Sequence, residues 1–214
     1  MTLRHMRQVD LIDAAVEHNL VPENYFTAWD PLCDWQMQTL KQLGMHPQNY
    51  LLDIGCGAMR LGLAAVDYLE SGRYFGIDRY ETYIPLAHDL AKREKIQKDY
   101  RIECDSDLGF SRFGVRFDFA MAQSVLTHLS SKQIELSFKN LQPVMNKDGK
   151  FVFTYILGDY ATLGFLYAGT HLMQRGWILD EKVFDEIAEK YGAKFSKLNI
   201  AHPTGQKVGL FTYL

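Results

Sequence analysis

Only three cysteines occur in the 214 residues. Cys33, Cys56 and Cys104 stand far apart, with no C-x-x-C pair and no metal-ligand spacing. An odd, scattered set excludes a disulfide framework and fits a reducing compartment. Charge of one sign is missing too: 23 Lys and Arg against 26 Asp and Glu leave a net charge of −3. Nothing in that balance draws the whole chain to nucleic acid or acidic lipid. No run approaches the roughly 18 apolar residues of a membrane span. The opening MTLRHMRQVDLIDAAVEHNL is charged throughout and lacks the apolar core of a signal peptide. Repeats and low-complexity segments are also absent. The expectation is a soluble, cytoplasmic protein, with 47% hydrophobic residues to build one domain's core.

What is present alternates. Residues 1–48 read as helical, with Val9, Ile12, Val16 and Leu20 along one face. A helix is then expected with Asp30 as N-cap, Pro31 at its first position and Gly44 as its stop. From residue 49 onward, strands NYLLDI, GRYFGID, YRIECD, RFDFAMA and KFVFTYIL alternate with amphipathic helices. The inward faces are Leu61, Ala65, Tyr68 and Leu69, then Tyr83, Ala87, Leu90 and Ala91, then Ile134, Phe138 and Leu141. Ser130 and Gln133 have the spacing of a capping box. Asp148-Gly149 is expected to turn into the fifth strand. A last helix buries Val183, Phe184, Ile187 and Tyr191, and AKFSKLNIA and QKVGLFTYL flank the turn cluster HPTG as a hairpin. This is an α/β pattern: a doubly wound, mostly parallel sheet with an antiparallel edge. The locally basic AKREKIQKDYR is interrupted by Glu94 and Asp99 and reads as a solvated face.

In such sheets ligands bind beyond the carboxyl ends of the strands. The first strand ends in Asp53-Ile54-Gly55-Cys56-Gly57, and glycines there let backbone N–H groups approach a ligand. The second ends in Asp78, 21 residues beyond Gly57, where a carboxylate suits ribose hydroxyls. Asp105-Ser106 and Gln123-Ser124 follow the third and fourth. No G-x-x-x-x-G-K-[ST] run exists, so a P-loop is excluded. A dinucleotide fingerprint would need glycine where Arg60 stands, and Gly62 comes two positions late. A carboxylate at 53 would repel a pyrophosphate and favour a cationic ligand.

The segments LLDIGCGAMRLG, GRYFGIDRY, IECDSD and FDFAMAQSVLTHLS resemble the cofactor motifs of class I S-adenosylmethionine-dependent methyltransferases. The resemblance covers residues 49–158 and, more loosely, 193–214. It implies a Rossmann-like, seven-stranded sheet closed by an antiparallel hairpin. Residues 49–214 would be the catalytic domain, 1–48 a helical cap and 158–180 an insertion over the acceptor site. It also implies roles. Asp53 would orient the glycine turn and approach the cationic amino-acid end of S-adenosyl-L-methionine. Gly55, Cys56 and Gly57 would line its methionine and ribose, Asp78 would hold the ribose, and Arg79 would flank the adenine. Asp105, with Ser106, would receive the adenine amino group, and Gln123 and Ser124 would close the pocket near the sulfonium. Arg60 is left between two readings, a partner for the cofactor carboxylate and a cap for the helix start.

His128, in SVLTHLS, is the candidate general base, the competing reading being a structural histidine. Tyr160, His171, Tyr25, Phe26 and Trp29 are candidates to line the acceptor pocket. No [N/D]PP[Y/F/W] run follows the fourth strand, which has AQSV instead, and this argues against methylation of nucleic-acid bases. The reading is methyl transfer to a small organic acceptor, with a hydroxyl preferred to an amine, and no metal. Three alternatives stay open: N-methylation of a small molecule or protein, a non-catalytic cofactor-binding subunit, and a nicotinamide-dependent oxidoreductase. Arg60 and the lack of a Tyr-x-x-x-Lys pair, Tyr155 being followed by Asp159, oppose the last. The oligomeric state is open, a homodimer included.

Overall fold

The computed structural model describes residues 29–158, 177–178 and 180–214. The chain divides into two compact units, residues 1–107 and 108–214.

In the first unit, α1 (Trp29–Gln42) precedes three strands, β1 (Leu51–Ile54), β2 (Tyr74–Asp78) and β3 (Arg101–Cys104), with α2 (Arg60–Tyr68) and α3 (Tyr83–Arg93) between them. The strands are parallel in the order β3-β2-β1, pairing Asp53 with Gly76 and Asp78 with Cys104. Every residue of β1 and β2 is buried, as expected of parallel strands covered on both faces. The predicted faces meet the core at Leu61, Ala65, Leu69, Ala87, Leu90 and Ala91, while Tyr68 and Tyr83 lie half-buried at their margins. Helix α1 packs on α2. Asp30 is not the N-cap of α1: it lies inside the first turn, because the helix already includes Trp29. Gly44 does end the helical segment, at φ 96°, a conformation that costs glycine little. The C-terminal carbonyls of α2 are met by Lys98, whose ammonium donates to the carbonyls of Asp67 and Leu69 at 2.6 and 2.8 Å.

The second unit contains β4 (Phe117–Ala122), α4 (Ser131–Leu141), β5 (Met145–Leu157), β6 (Trp177–Ile178), α5 (Lys182–Lys190), β7 (Ala193–Leu198) and β8 (Lys207–Tyr213). Strands β4 and β5 are parallel, whereas β8 runs antiparallel to both β5 and β7. The expected hairpin is therefore present, and three strands in one unit with four in the other supply the expected seven. The two-residue β6, invisible to strand periodicity, adds a parallel pair at the end of β5. Asp148-Gly149 does not precede β5 but lies within it. The register jumps from Phe117↔Met145 to Phe119↔Lys150, and Asp148 adopts φ 61° in the bulge.

The Ser130–Gln133 capping box opens α4 as its spacing predicts. Behind it, Phe138 packs 4.4 Å from Phe211 and 5.3 Å from both Phe151 and Phe153, ring centroid to ring centroid, and all four are fully buried. Burying each such ring contributes roughly 2–3 kcal/mol. In α5 the inward residues are Phe184, Ile187 and Ala188, with Val183 and Tyr191 only half-buried. Among the described residues no helix is long and apolar enough to cross a membrane. The helical reading of residues 1–28, and Tyr25, Phe26, Tyr160 and His171 with most of 158–180, lie outside the described residues.

Candidate cofactor site

The chain leaves β1 through a turn held by β2. The amides of Gly55 and Cys56 both donate to the carbonyl of Ile77, at 2.7 and 3.0 Å. Gly55 and Gly57 have φ of 70° and 53°, which glycine tolerates without a Cβ penalty. The amide of Gly57 donates to Oδ2 of Asp78 at 2.9 Å, while Oδ1 accepts from the amide of Tyr80 at 2.9 Å. It is thus Asp78, rather than Asp53, whose carboxylate orients the glycine turn. Burial raises the pKa of Asp78 and these backbone donors oppose the shift. The two carboxylate oxygens keep acceptor capacity beyond these backbone donors.

Asp53 lies beneath the turn, 3% exposed. Among the described residues its side-chain hydrogen-bond partner is Tyr74, whose hydroxyl donates to Oδ2 at 2.7 Å. Burial raises its pKa from 3.8 to about 7; the Tyr74 hydrogen bond and the Arg60 charge lower it, and Asp78 adds to the rise. Gly62 explains how Tyr74 gets there. A Cβ at position 62 would stand 2.6 Å from the Tyr74 hydroxyl and 2.7 Å from its Cζ. The glycine that comes late for a dinucleotide fingerprint is the one that admits Tyr74 to Asp53.

Arg60 opens α2 just after Met59, which takes φ 62°. Its Nε donates a long hydrogen bond, 3.4 Å, to Oε1 of Gln36, and its guanidinium carbon lies 5.8 Å from the Trp29 ring centre. Gln36 and Trp29 are both buried residues of α1. Cys56 is buried, and burial with the two nearby carboxylates pushes its thiol well up. It is a neutral wall, not a nucleophile. At the ends of β2 and β3, the amide of Asp105 donates to the carbonyl of Asp78 at 2.8 Å, and Asp105 Oδ1 accepts from the Asp107 amide. Asp105 is buried, whereas Ser106 is exposed with its hydroxyl directed to Asp107. Arg79 is exposed and lies 4.6 Å from the centre of the Tyr80 ring. Tyr80 meets Tyr83 edge to face, and burial, with Asp78 and Tyr80 nearby, raises the Tyr83 hydroxyl to about 12.

In the second unit, Gln123 and Ser124 follow β4 as their motif predicts. Ser124 takes φ 58°, and its amide donates to Oγ1 of buried Thr154 at 2.7 Å. Its Oγ accepts from the side-chain amides of both Gln123 and Gln206. His128 ends a short 3-10 turn, Leu126–His128, with its ring exposed and its amide bonded to the Val125 carbonyl.

The first unit thus gathers Asp53, Gly55, Cys56, Gly57, Arg60, Asp78 and Asp105. The roles assigned from the motifs left out Tyr74, Tyr80, Tyr83, Gln36, Thr154 and Gln206. Gly62 is the one sequence signal for Tyr74; nothing local announces Gln36, Thr154 or Gln206, because their partners come from distant elements, while Tyr80 and Tyr83 meet Asp78, Arg79 and each other within a few positions. Two carboxylates, one deeply desolvated, surround a turn that presents backbone. Such a donor set suits a nucleoside with a cationic tail and disfavours a phosphate.

Residues 51–149 match the model of a family described as a methyltransferase domain. Among solved structures, the chain is similar to a magnesium protoporphyrin IX methyltransferase from Synechocystis PCC 6803 with bound SAH, at 15% identity and a TM-score of 0.66 over 85% of this chain and 82% of that one. It is similar to a putative O-methyltransferase from Nostoc punctiforme PCC 73102 (16%, TM-score 0.65), over 88% of this chain and 59% of that one. A third likeness is to a SAM-dependent methyltransferase from Methanosarcina mazei (17%, TM-score 0.60), over 81% and 94% of the two chains. These likenesses show the fold, which is the Rossmann-like fold expected. The methyltransferase-domain match spans β1, the glycine turn, β2, β3 and β4, the stretch that carries the candidate cofactor residues.

Proposed function

We propose that the chain transfers a methyl group to a small organic acceptor, at a hydroxyl oxygen. The observation that carries the cofactor side is the buried Asp53 under a turn whose Gly57 amide is clamped by Asp78. Bound there, the cofactor supplies an electrophilic methyl on a sulfonium. The residues of the chain orient it. Asp53 would face the ammonium, Asp78 would offer its remaining lone pairs to the ribose hydroxyls, and Arg79 and Asp105 would flank the adenine. By the motif resemblance, Gln123 and Ser124 would border the sulfonium. Holding donor and acceptor in line contributes up to roughly 7–11 kcal/mol of the barrier reduction. His128, whose ring is exposed, accepts the proton that the acceptor hydroxyl releases.

A hydroxyl acceptor is supported by the O-methyltransferases among the structural neighbours and by the AQSV sequence after β4. We also infer a small-molecule partner, not nucleic acid, and a cytoplasmic location, supported by three scattered cysteines with no C-x-x-C pair. The test is transfer of labelled methyl from S-adenosylmethionine into a panel of phenols, sugars and amines. Label in hydroxyl compounds bears the reading out. Label in amines alone, or in none despite cofactor binding, overturns it.

A further inference from the structure

Helix α1 lies outside the stretch that matches the methyltransferase family, residues 51–149. It nevertheless supplies two of the contacts to Arg60. Oε1 of Gln36, 3% exposed, accepts from the guanidinium Nε at 3.4 Å, and the Trp29 ring, 5% exposed, stands 5.8 Å from its guanidinium carbon. Arg60 itself is only half-buried and is the first residue after the glycine turn. A buried amide engaging Nε directs the guanidinium, and a ring beside it favours the planar cation.

We propose that Arg60, held by Gln36 and Trp29 of α1, is the binding residue for the carboxylate of the cofactor's amino-acid end, and that Gln36 is its positioning residue. This rests on the cofactor reading above. Asp53 and Arg60 then form opposite poles for a zwitterion, the carboxylate side chain meeting the ammonium and the guanidinium meeting the carboxylate. The charge of Arg60 reaches Asp53 and lowers its pKa, as two poles of one site require. Recognition of the amino-acid end therefore depends on a helix outside the nucleotide-binding sheet. A guanidinium carries only donors, so Arg60 cannot accept from the exposed amides that open α2, and the helix-cap reading falls on its chemistry.

The test compares S-adenosylhomocysteine with its decarboxylated analogue, which keeps the ammonium and lacks only the carboxylate. Titration calorimetry on the full chain should show the wild type binding the parent compound at least tenfold more tightly. Arg60→Met should weaken the parent at least tenfold and the analogue less than twofold, so that the difference disappears. Gln36→Leu should weaken the parent three- to tenfold and spare the analogue, and Arg60→Lys should recover part of the loss. Equal effects on both ligands, or none on either, overturn the proposal, with thermal melts confirming that each variant folds. A wild type that binds neither ligand contradicts the cofactor reading itself, an outcome distinct from the loss of discrimination.

Discussion

Asp53→Asn should stabilise the protein at alkaline pH while weakening its cofactor. Asn keeps an acceptor for the Tyr74 hydroxyl, which reaches Asp53 at 2.7 Å, and cannot ionise. In the wild type the folded-state pKa stands at about 7 against 3.8 in the open chain. Between those values the folded state binds more protons than the unfolded one, so stability falls as pH rises through the window. Above pH 7 the burial penalty is fully present. Three pKa units correspond to about 4 kcal/mol, of which the charge-free variant is relieved. At pH 4 the carboxyl is neutral in the folded state and the penalty is nearly gone. Urea unfolding of both proteins from pH 4 to pH 9 measures this directly. The gap between variant and wild type should widen by a few kcal/mol across the range, mostly between pH 4 and 7. A constant gap would refute the reasoning, because the carboxylate would then not be desolvated. The same variant should bind S-adenosylhomocysteine at least tenfold more weakly, since the ammonium loses its anion. A charge that destabilises the fold and aids the ligand is a stability–activity trade-off.

Asp78→Ala should weaken S-adenosylhomocysteine more than tenfold by calorimetry, because it removes the ribose acceptor together with the clamp on Gly57. Gly62→Ala should lower stability by roughly 1–3 kcal/mol through overpacking and raise the pKa of Asp53, as Tyr74 is pushed off the carboxylate; an unchanged melt would mean that the tyrosine has room. Phe138→Ala, at the centre of the aromatic cluster, should cost about 3–5 kcal/mol in chemical unfolding. His128→Ala should reduce turnover at saturating cofactor with little change in cofactor affinity, and an unaltered rate would make the histidine structural.

The order of strands and helices was legible because periodicity and turn residues act locally. Leu61, Ala65 and Leu69, or Ile134, Phe138 and Leu141, can be read as one face from spacing alone. Boundaries that depend on tertiary context were not. Asp30 looks like an N-cap until the helix is seen to begin before it, and Asp148-Gly149 looks like a turn although neighbouring β4 draws it into a bulge. The site divides in the same way. Asp53 and Asp78 stand at the carboxyl ends of β1 and β2 and the glycines just beyond β1, so their grouping follows from a parallel sheet. Which carboxylate holds the turn does not, because the hydrogen bond from Gly57 crosses 21 positions. Tyr74 and Gln36 act through contacts 21 and 24 positions away, and no short motif encodes such separations. Arg60, out of place in a dinucleotide fingerprint, becomes intelligible beside Gln36, Trp29 and Asp53.

The central claim is that the turn after β1 recognises a cationic sulfur nucleoside and not a dinucleotide. Parallel calorimetric titrations with S-adenosylmethionine, S-adenosylhomocysteine and NAD test it most directly. Both sulfur nucleosides should bind one per chain while NAD gives no heat; NAD binding with neither sulfur nucleoside would contradict the account.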